Sequence, residues 1–399
     1  MPNRKPPTLA EPGLFQPAPL PVAKLDCGER LACLRLIRSD NVGPVAFRQL
    51  INHYGGATNA LQALPEIARR GGRGKPIRIC PAHQAEAELD AARRCGAEPV
   101  FTIEPHYPAA LAVLAAPPPR LYIKGRPELL NRPAIAIVGS RESSAAGIKI
   151  ARMFARGLGD AGYVIVSGLA RGIDGAAHDT ALATGTVAVL AGGLDIVYPP
   201  EHKALQERIA LEGCLVSEQP PGFSPRGQDF PRRNRIISGI ALAVVIVEAA
   251  ARSGTLVTAR YALEQGREVF SVPGHPLDPR AEGTNRLIKQ GATLVTEAND
   301  ILVALAPISG LSETAGRPPY PLAVPQTAAP VSSPPPDVGD SVRQGVLSVL
   351  GPAPVNFDAI TGATGLTARL VQVALMELEL AGRIARPGPG LIALKADEM

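Results

Sequence analysis

The chain has 399 residues, enough for one large core and smaller domains, so two to four domains are expected. A formal net charge of +5 permits a polyanionic partner without requiring one, while the absence of Trp and only 4% aromatic residues argue against a large base-stacking platform. The five cysteines, Cys27, Cys33, Cys80, Cys95 and Cys214, are odd in number, widely spaced and form no CxxC, so they read as reduced, mostly buried thiols in the cytoplasm.

Residues 1–22 are rich in Pro and read as a disordered tail without the apolar segment of a secretory signal. Residues 23–105 read as a helical domain. Apolar residues recur there at spacings of three and four, and Asn41-Val42-Gly43-Pro44 makes a tight turn between two helices. Such a turn resembles a helix-hairpin-helix, but Pro44 has no amide proton, which favours a structural or partner-binding role.

Residues 106–305 change pattern. Short apolar runs at 134–138, 163–168, 186–193, 214–218, 242–249, 268–274 and 292–297 alternate with helical stretches. The runs are apolar on both faces, as strands of a parallel sheet covered on both sides are, so the expected fold is α/β and Rossmann-like. Ligands in such sheets bind at the carboxyl ends of the strands. The longest apolar run, Ile240 to Val247, is far too short to span a bilayer, and no membrane association is expected. Residues 306–339 form a Pro/Ala/Ser tract that reads as a linker. Residues 340–399 read as three helices and a small hairpin, the winged-helix layout.

The strand exits carry the candidate chemistry. Gly139, Ser140 and Arg141 follow the first run, where a turn and helix amides could hold an anion. Neither G-x-G-x-x-G nor a Walker A loop occurs, so no nucleotide cofactor is expected. Gly168, Arg171 and Gly172 follow the second run, with Asp174 placed to cap free amides. Ser167, Asp174 and His178 lack a nucleophile elbow and make a poor hydrolytic set. Arg232, Arg233, Asn234 and Arg235 form the strongest local signal, since Arg suits bidentate phosphate contact; the alternative is an ordinary solvated basic face. Arg252, Ser253 and Gly254 form a further strand-exit loop, with Thr255 placed to cap the next helix. His275 reads as a surface loop residue, and no group of Asp, His or Cys has metal-site spacing.

These stretches, in order, resemble the DNA processing protein A family, DprA, also called Smf. The matching segments are "YPAALAVLAAPPPRLYIKG" (107–125), "IAIVGSRESSAAG" (135–147), "SGLARGIDGAAH" (167–178), "AVLAGGLDIVYPPEHKAL" (188–205), "FPRRNRIISGIA" (230–241), "VVIVEAAARSGTLVTARYALEQGREVFSVPG" (244–274) and "GTNRLIKQGA" (283–292). The resemblance implies a protein that binds single-stranded DNA entering by natural transformation, protects it and helps load the RecA recombinase. It also implies a homodimer through the Rossmann-like domain, a sterile-alpha-motif-like or helix-hairpin-helix-like front domain and a winged helix behind. It assigns DNA contact to Gly139, Ser140, Arg141 and the "RRNR" arginines. His202 stands where the family pattern usually has Asn, and Ala241 where it has Ser. The fold is also related to nucleotide phosphoribohydrolases, whose P-G-G-x-G-T motif is broken here at Pro273-Gly274-His275, so no enzyme activity is expected. A regulatory duplex-binding role through the winged helix is the alternative, disfavoured by Glu377 and Glu379 on its third helix.

Overall fold

The computed structural model describes residues 25–72, 75–310, 338–388 and 390–395. The expected tail and most of the expected linker lie outside them. The N-terminal unit contains α1 (Cys27–Ile37), α2 (Pro44–Tyr54), α3 (Ala57–Arg70) and α4 (Ala82–Arg94). Asp26 caps α1 by accepting from the Glu29 amide. Gly56 offers α3 no cap, and the Glu29 carboxylate accepts from the Ala57 and Thr58 amides instead. Leu34, Leu36, Phe47, Leu50, Leu64 and Ile67 fill the core between these helices.

The central unit begins with β1 (Glu98–Phe101), α5 (Ala109–Ala112) and β2 (Arg120–Gly125). It continues through β3 (Ala134–Val138), α6 (Ala145–Asp160), β4 (Val164–Ser167), α7 (Ile173–Ala181), β5 (Thr186–Leu190), α8 (Lys203–Glu212) and β6 (Cys214–Ser217). It closes with α9 (Asp229–Ile240), β7 (Ala243–Ile246), α10 (Thr255–Glu264), β8 (Glu268–Ser271), α11 (Glu282–Lys289), β9 (Thr293–Leu294) and α12 (Ala298–Gly310). The nine-stranded sheet has the order β1-β2-β6-β5-β4-β3-β7-β8-β9.

All seven expected runs are strands, and β3 to β9 are mutually parallel. The sheet is mixed rather than purely parallel, because β2 pairs antiparallel with both β6 and β1. The sheet therefore starts at Glu98, inside the unit expected to form the helical domain. Helix α12 runs to Gly310, into the tract expected to be linker.

Burial on both faces explains the unbroken apolar strands. Ala134, Ala136 and Val138 of β3 pack with Ile236, Ile237 and Ile240 of α9 on one side. Ile135 and Ile137 pack with Phe154 and Leu158 of α6 and Ile173 of α7 on the other.

The C-terminal unit contains α13 (Gly339–Ser348), β10 (Val355–Asn356), α14 (Phe357–Thr364), α15 (Ala368–Leu380), β11 (Ile384–Gly388) and β12 (Leu391–Leu394). Its sheet order is β10-β12-β11. Three helices and a small sheet make it a winged helix, as expected. No single helix among the described residues is long and apolar enough to cross a membrane.

Candidate nucleic-acid interface

The parallel strands all end at one edge of the sheet, and α9 starts at that edge before returning the chain to β7. Side chains from three strand exits and the first turn of α9 meet there. Arg141, Gly168, Ala170, Arg171, Tyr198 and Phe230 line an open cleft of about 240 Å³, with the largely buried Arg233 at its floor. That is below the roughly 300–1,000 Å³ of pockets that enclose a small molecule. The space suits one base or a stretch of backbone rather than a dinucleotide.

The turn after β4 forms the floor. Arg233 is 7% exposed, and its Nη1 donates to the carbonyls of Gly168 (2.7 Å) and Val189. Asp174, also buried, takes the other side of the same turn: its Oδ2 accepts from the Gly168 amide (3.1 Å) and the Ala170 amide (3.3 Å). His202 Nδ1 lies 3.1 Å from the Leu169 carbonyl. Between these supports Leu169 adopts a left-handed φ of 56°, a conformation that persists only where its surroundings over-determine it. Burial lowers the Arg233 pKa to about 10 against the opposing pull of Asp174, so the guanidinium stays charged at neutral pH. Burial raises the Asp174 carboxyl, with Arg233 and the two amides opposing it.

This geometry divides the arginine cluster. Arg233 braces the turn from inside through Nη1 and Nε while its side chain lines the cleft floor. Asn234 is internal too: its Oδ1 accepts from Arg233 Nε (3.2 Å) and its Nδ2 donates to the Gly254 carbonyl (3.3 Å). Arg235 pairs with Glu218 at 2.5 Å and lies outside the cleft lining. Arg232 is exposed on the first turns of α9 and Arg252 on the loop after β7, and neither lines the cleft.

The glycine loops are largely self-satisfied as well. The Gly168 amide and carbonyl are both taken by the brace. Gly139 accepts from Thr255 Oγ1 (3.0 Å), so Thr255 ties α10 to β3 rather than capping its helix. Ser253 Oγ accepts from the Thr255 amide at 3.1 Å. Gly172 has φ +72°, and a Cβ there would lie 2.4 Å from the Ser140 carbonyl, so the first two loops pack with no room for a side chain. Ser140 Oγ accepts from the Glu142 amide at 3.2 Å.

The anion expected at the start of α6 is the protein's own. The strand order reverses between β3 and β7, the place where open α/β sheets bind nucleotides. Glu248 fills it. Its Oε2 accepts from the Ser144 amide (3.0 Å) and its Oε1 from Ser144 Oγ (2.5 Å), while Ser144 Oγ accepts from the Gly147 amide (2.9 Å). A carboxylate at a helix N-terminus satisfies the amides that a phosphate would need.

The exposed chemistry is cationic and aromatic. Arg141 lies over the Phe230 ring at 5.2 Å, within cation–π range. Tyr198 meets Phe230 with ring centroids 5.0 Å apart and is 47% exposed. Arg171 is exposed and pairs with Glu201, which raises the arginine and lowers the acid. Sequence reasoning missed Phe230 and Tyr198. Their signal was position: each abuts a proline outside the apolar strand runs, in a chain with few aromatics. The members of the hydrolytic set are engaged elsewhere, since Ser167 Oγ donates to the Ile137 carbonyl (2.6 Å) and His178 Nδ1 meets Thr186 Oγ1 (2.7 Å).

Three family descriptions match the chain in order. "DprA-like N-terminal HHH domain" covers residues 28–91, "DNA recombination-mediator protein A" covers 98–306 and "DprA winged helix domain" covers 328–388. Protein Smf of Synechocystis sp. is 32% identical over 88% of this chain and 94% of its own length. DNA processing protein DprA of Streptococcus pneumoniae is 44% identical over 51% of this chain and 73% of its own. The X-ray structure of the pneumococcal DNA processing protein A superposes with a TM-score of 0.58 at 36% identity, covering 68% of this chain and 95% of that one.

Proposed function

The chain belongs to the DprA/Smf family of DNA recombination mediators, and from that premise we propose that it binds single-stranded DNA at the cleft beside β3, β4 and α9. It thereby protects incoming single strands in the cytoplasm during natural transformation and helps load RecA. The carrying observation is the pairing of Arg141 with Phe230 and Tyr198 above a braced turn. Stacking on an aromatic face requires an unpaired base, while an exposed guanidinium beside it meets the adjoining phosphate. Arg171, Arg232 and Arg252 extend the positive field around the mouth, and Gly139, Ser140, Gly168, Gly172, Asn234, Ser253 and Gly254 hold the loops that present it. The edge strand β9, with Thr293 and Leu294 exposed, supports a homodimer through this domain.

A binding role without catalysis fits the state of the acids. Asp174 and Glu248 are committed to backbone amides and Glu201 to Arg171. Incubation with nucleoside monophosphates is expected to release no free base.

The test is anisotropy titration of a labelled oligodeoxythymidylate. Phe230→Ala should weaken binding by about 1–3 kcal/mol, the usual contribution of one base–aromatic stack. Arg141→Ala and Arg171→Ala should each flatten the logarithmic salt slope by about 0.7. Unchanged affinity and slope in all three would remove the cleft from the DNA path.

A further inference from the structure

The two elements of this chain best shaped for duplex DNA cover each other. Asn41-Val42-Gly43-Pro44, the hairpin turn between α1 and α2, packs against the last turn of α15 and the start of β11. Helix α15 is the third helix of the winged helix, the one such modules place in the major groove. Its apolar residues divide between two cores. Val371, Ala374, Leu375 and Leu378 belong to the winged helix itself, whereas Met376 and Leu380 belong to the core of α1, α2 and α3. Asn41 sits at φ 57°; its Nδ2 donates to the Leu380 carbonyl (3.1 Å) and its Oδ1 accepts from Lys395 Nζ (3.3 Å). Glu377 and Glu379, which would repel phosphate, are paired with Arg343 and Arg386 beneath this contact.

The closeness of the contact is set by Gly71, just past α3. A Cβ there would lie 2.1 Å from the Glu377 carbonyl oxygen and 2.7 Å from Ala381 Cβ. Gly71 itself has ordinary helical backbone angles, φ −67° and ψ 0°, which any residue adopts. The glycine is thus required by the neighbouring domain and not by its own turn. A duplex seated along α15 would run into α3 at this point, because a groove-bound helix needs clear space for the phosphate ridges on both sides.

We propose that the N-terminal and winged-helix domains form an intramolecular cap, in which the hairpin turn and α15 shield one another and duplex DNA is refused until they part. The device biases the protein toward single strands: its cleft on the central sheet stays open while its duplex-type surfaces are closed. The N-terminal part of α15, with Ala368, Arg369 and Gln372 exposed, remains outside the contact, and the steric block falls on its C-terminal half.

The test uses the full-length chain with Gly71→Val as a wedge and, separately, Met376→Lys, which charges the shared core and leaves the residues of the winged helix's own core unchanged. Each is titrated with a short blunt duplex and with a single strand, and its radius of gyration is followed by small-angle scattering. The expected result is a larger radius and a gain in duplex affinity of roughly five- to a hundredfold, the range of an ordinary coupling between sites, with single-strand affinity unchanged. Duplex affinity that stays at the wild-type value in expanded variants overturns the cap. So does a radius that stays at the wild-type value in both, because the contact then does not depend on the residues that form it. Should either variant lose single-strand binding through misfolding, Asn41→Gly decides by the same two readings; it removes two hydrogen bonds and keeps the left-handed turn.

Discussion

At the scale of single residues, the arginines show how one residue type divides between opposite tasks. Arg233 lies in the densest basic stretch, yet it holds two carbonyls from within, while Arg141, in a sparser stretch, faces the solvent over Phe230. Charge density along the chain revealed the neighbourhood and not the orientation. His202, the departure from the family pattern, meets the Leu169 carbonyl, a bond that an asparagine amide could also donate. Below this floor His178 is wholly buried, with Nε2 unpartnered, and burial, with the nearby charges of His202 and Arg233, lowers its pKa to about 3. The unfolded histidine titrates near 6.5, so between about 6.5 and 3 the unfolded chain binds a proton that the folded chain refuses. Stability is therefore lost as pH falls through that window, by up to about 1.4 kcal/mol per pH unit from this group alone. Asp174, held above its usual range, acts in the opposite sense from its unfolded pKa of about 3.9 upward, and so offsets part of that loss. Urea unfolding of wild type and His178→Gln at about pH 7 and about pH 5 isolates the imidazole; the variant should lose less stability on acidification. Equal losses would show that His178 does not govern the acid response.

At the scale of elements, the seven strands β3 to β9 were legible because burial on both faces leaves no alternation to misread. Strands β1 and β2 were not. Arg120 and Lys124 interrupt β2, and Arg120 is tolerated in the sheet because Glu88 of α4 reaches it at 2.8 Å and the Glu218 carbonyl accepts from it at 2.7 Å. Glu88 is 32 residues away and invisible to any local pattern. The start of α6 shows the same division. A strand, a glycine and a helix advertise an anion site, and the anion that arrives is Glu248, 104 residues on. Removing it should cost what a lost N-terminal cap costs. Glu248→Ala is expected to lower stability by about 1–2 kcal/mol in chemical denaturation. Single-strand binding should not weaken, because the lost group is a carboxylate beside the positive mouth. A marked loss of binding at unchanged stability would place Glu248 in the DNA path instead.

At the scale of the whole molecule, the sheet has one protected and one open edge. At the β1 end, Arg30 ties the N-terminal helices down by donating to the Pro99 carbonyl and pairing with Glu98 and Glu104. At the β9 end the outer side of the strand has no pairing strand among the described residues, and Leu294 is 49% exposed. An uncovered strand edge invites a second copy. If the proposed homodimer uses it, Leu294→Glu should elute as a monomer with light-scattering detection while melting as wild type does. Persistence of a dimer would move the interface elsewhere. The amino-acid sequence alone determined the order of three units, the α/β class, the seven parallel strands of the central sheet and the family, because apolar periodicity and turn chemistry are local and survive without a partner. The tertiary structure alone decided which arginines face solvent, which carboxylate fills the helix N-terminus and that the hairpin turn and α15 close on each other. Those outcomes depend on contacts between groups tens to hundreds of residues apart, where burial and pairing assign a charge its task.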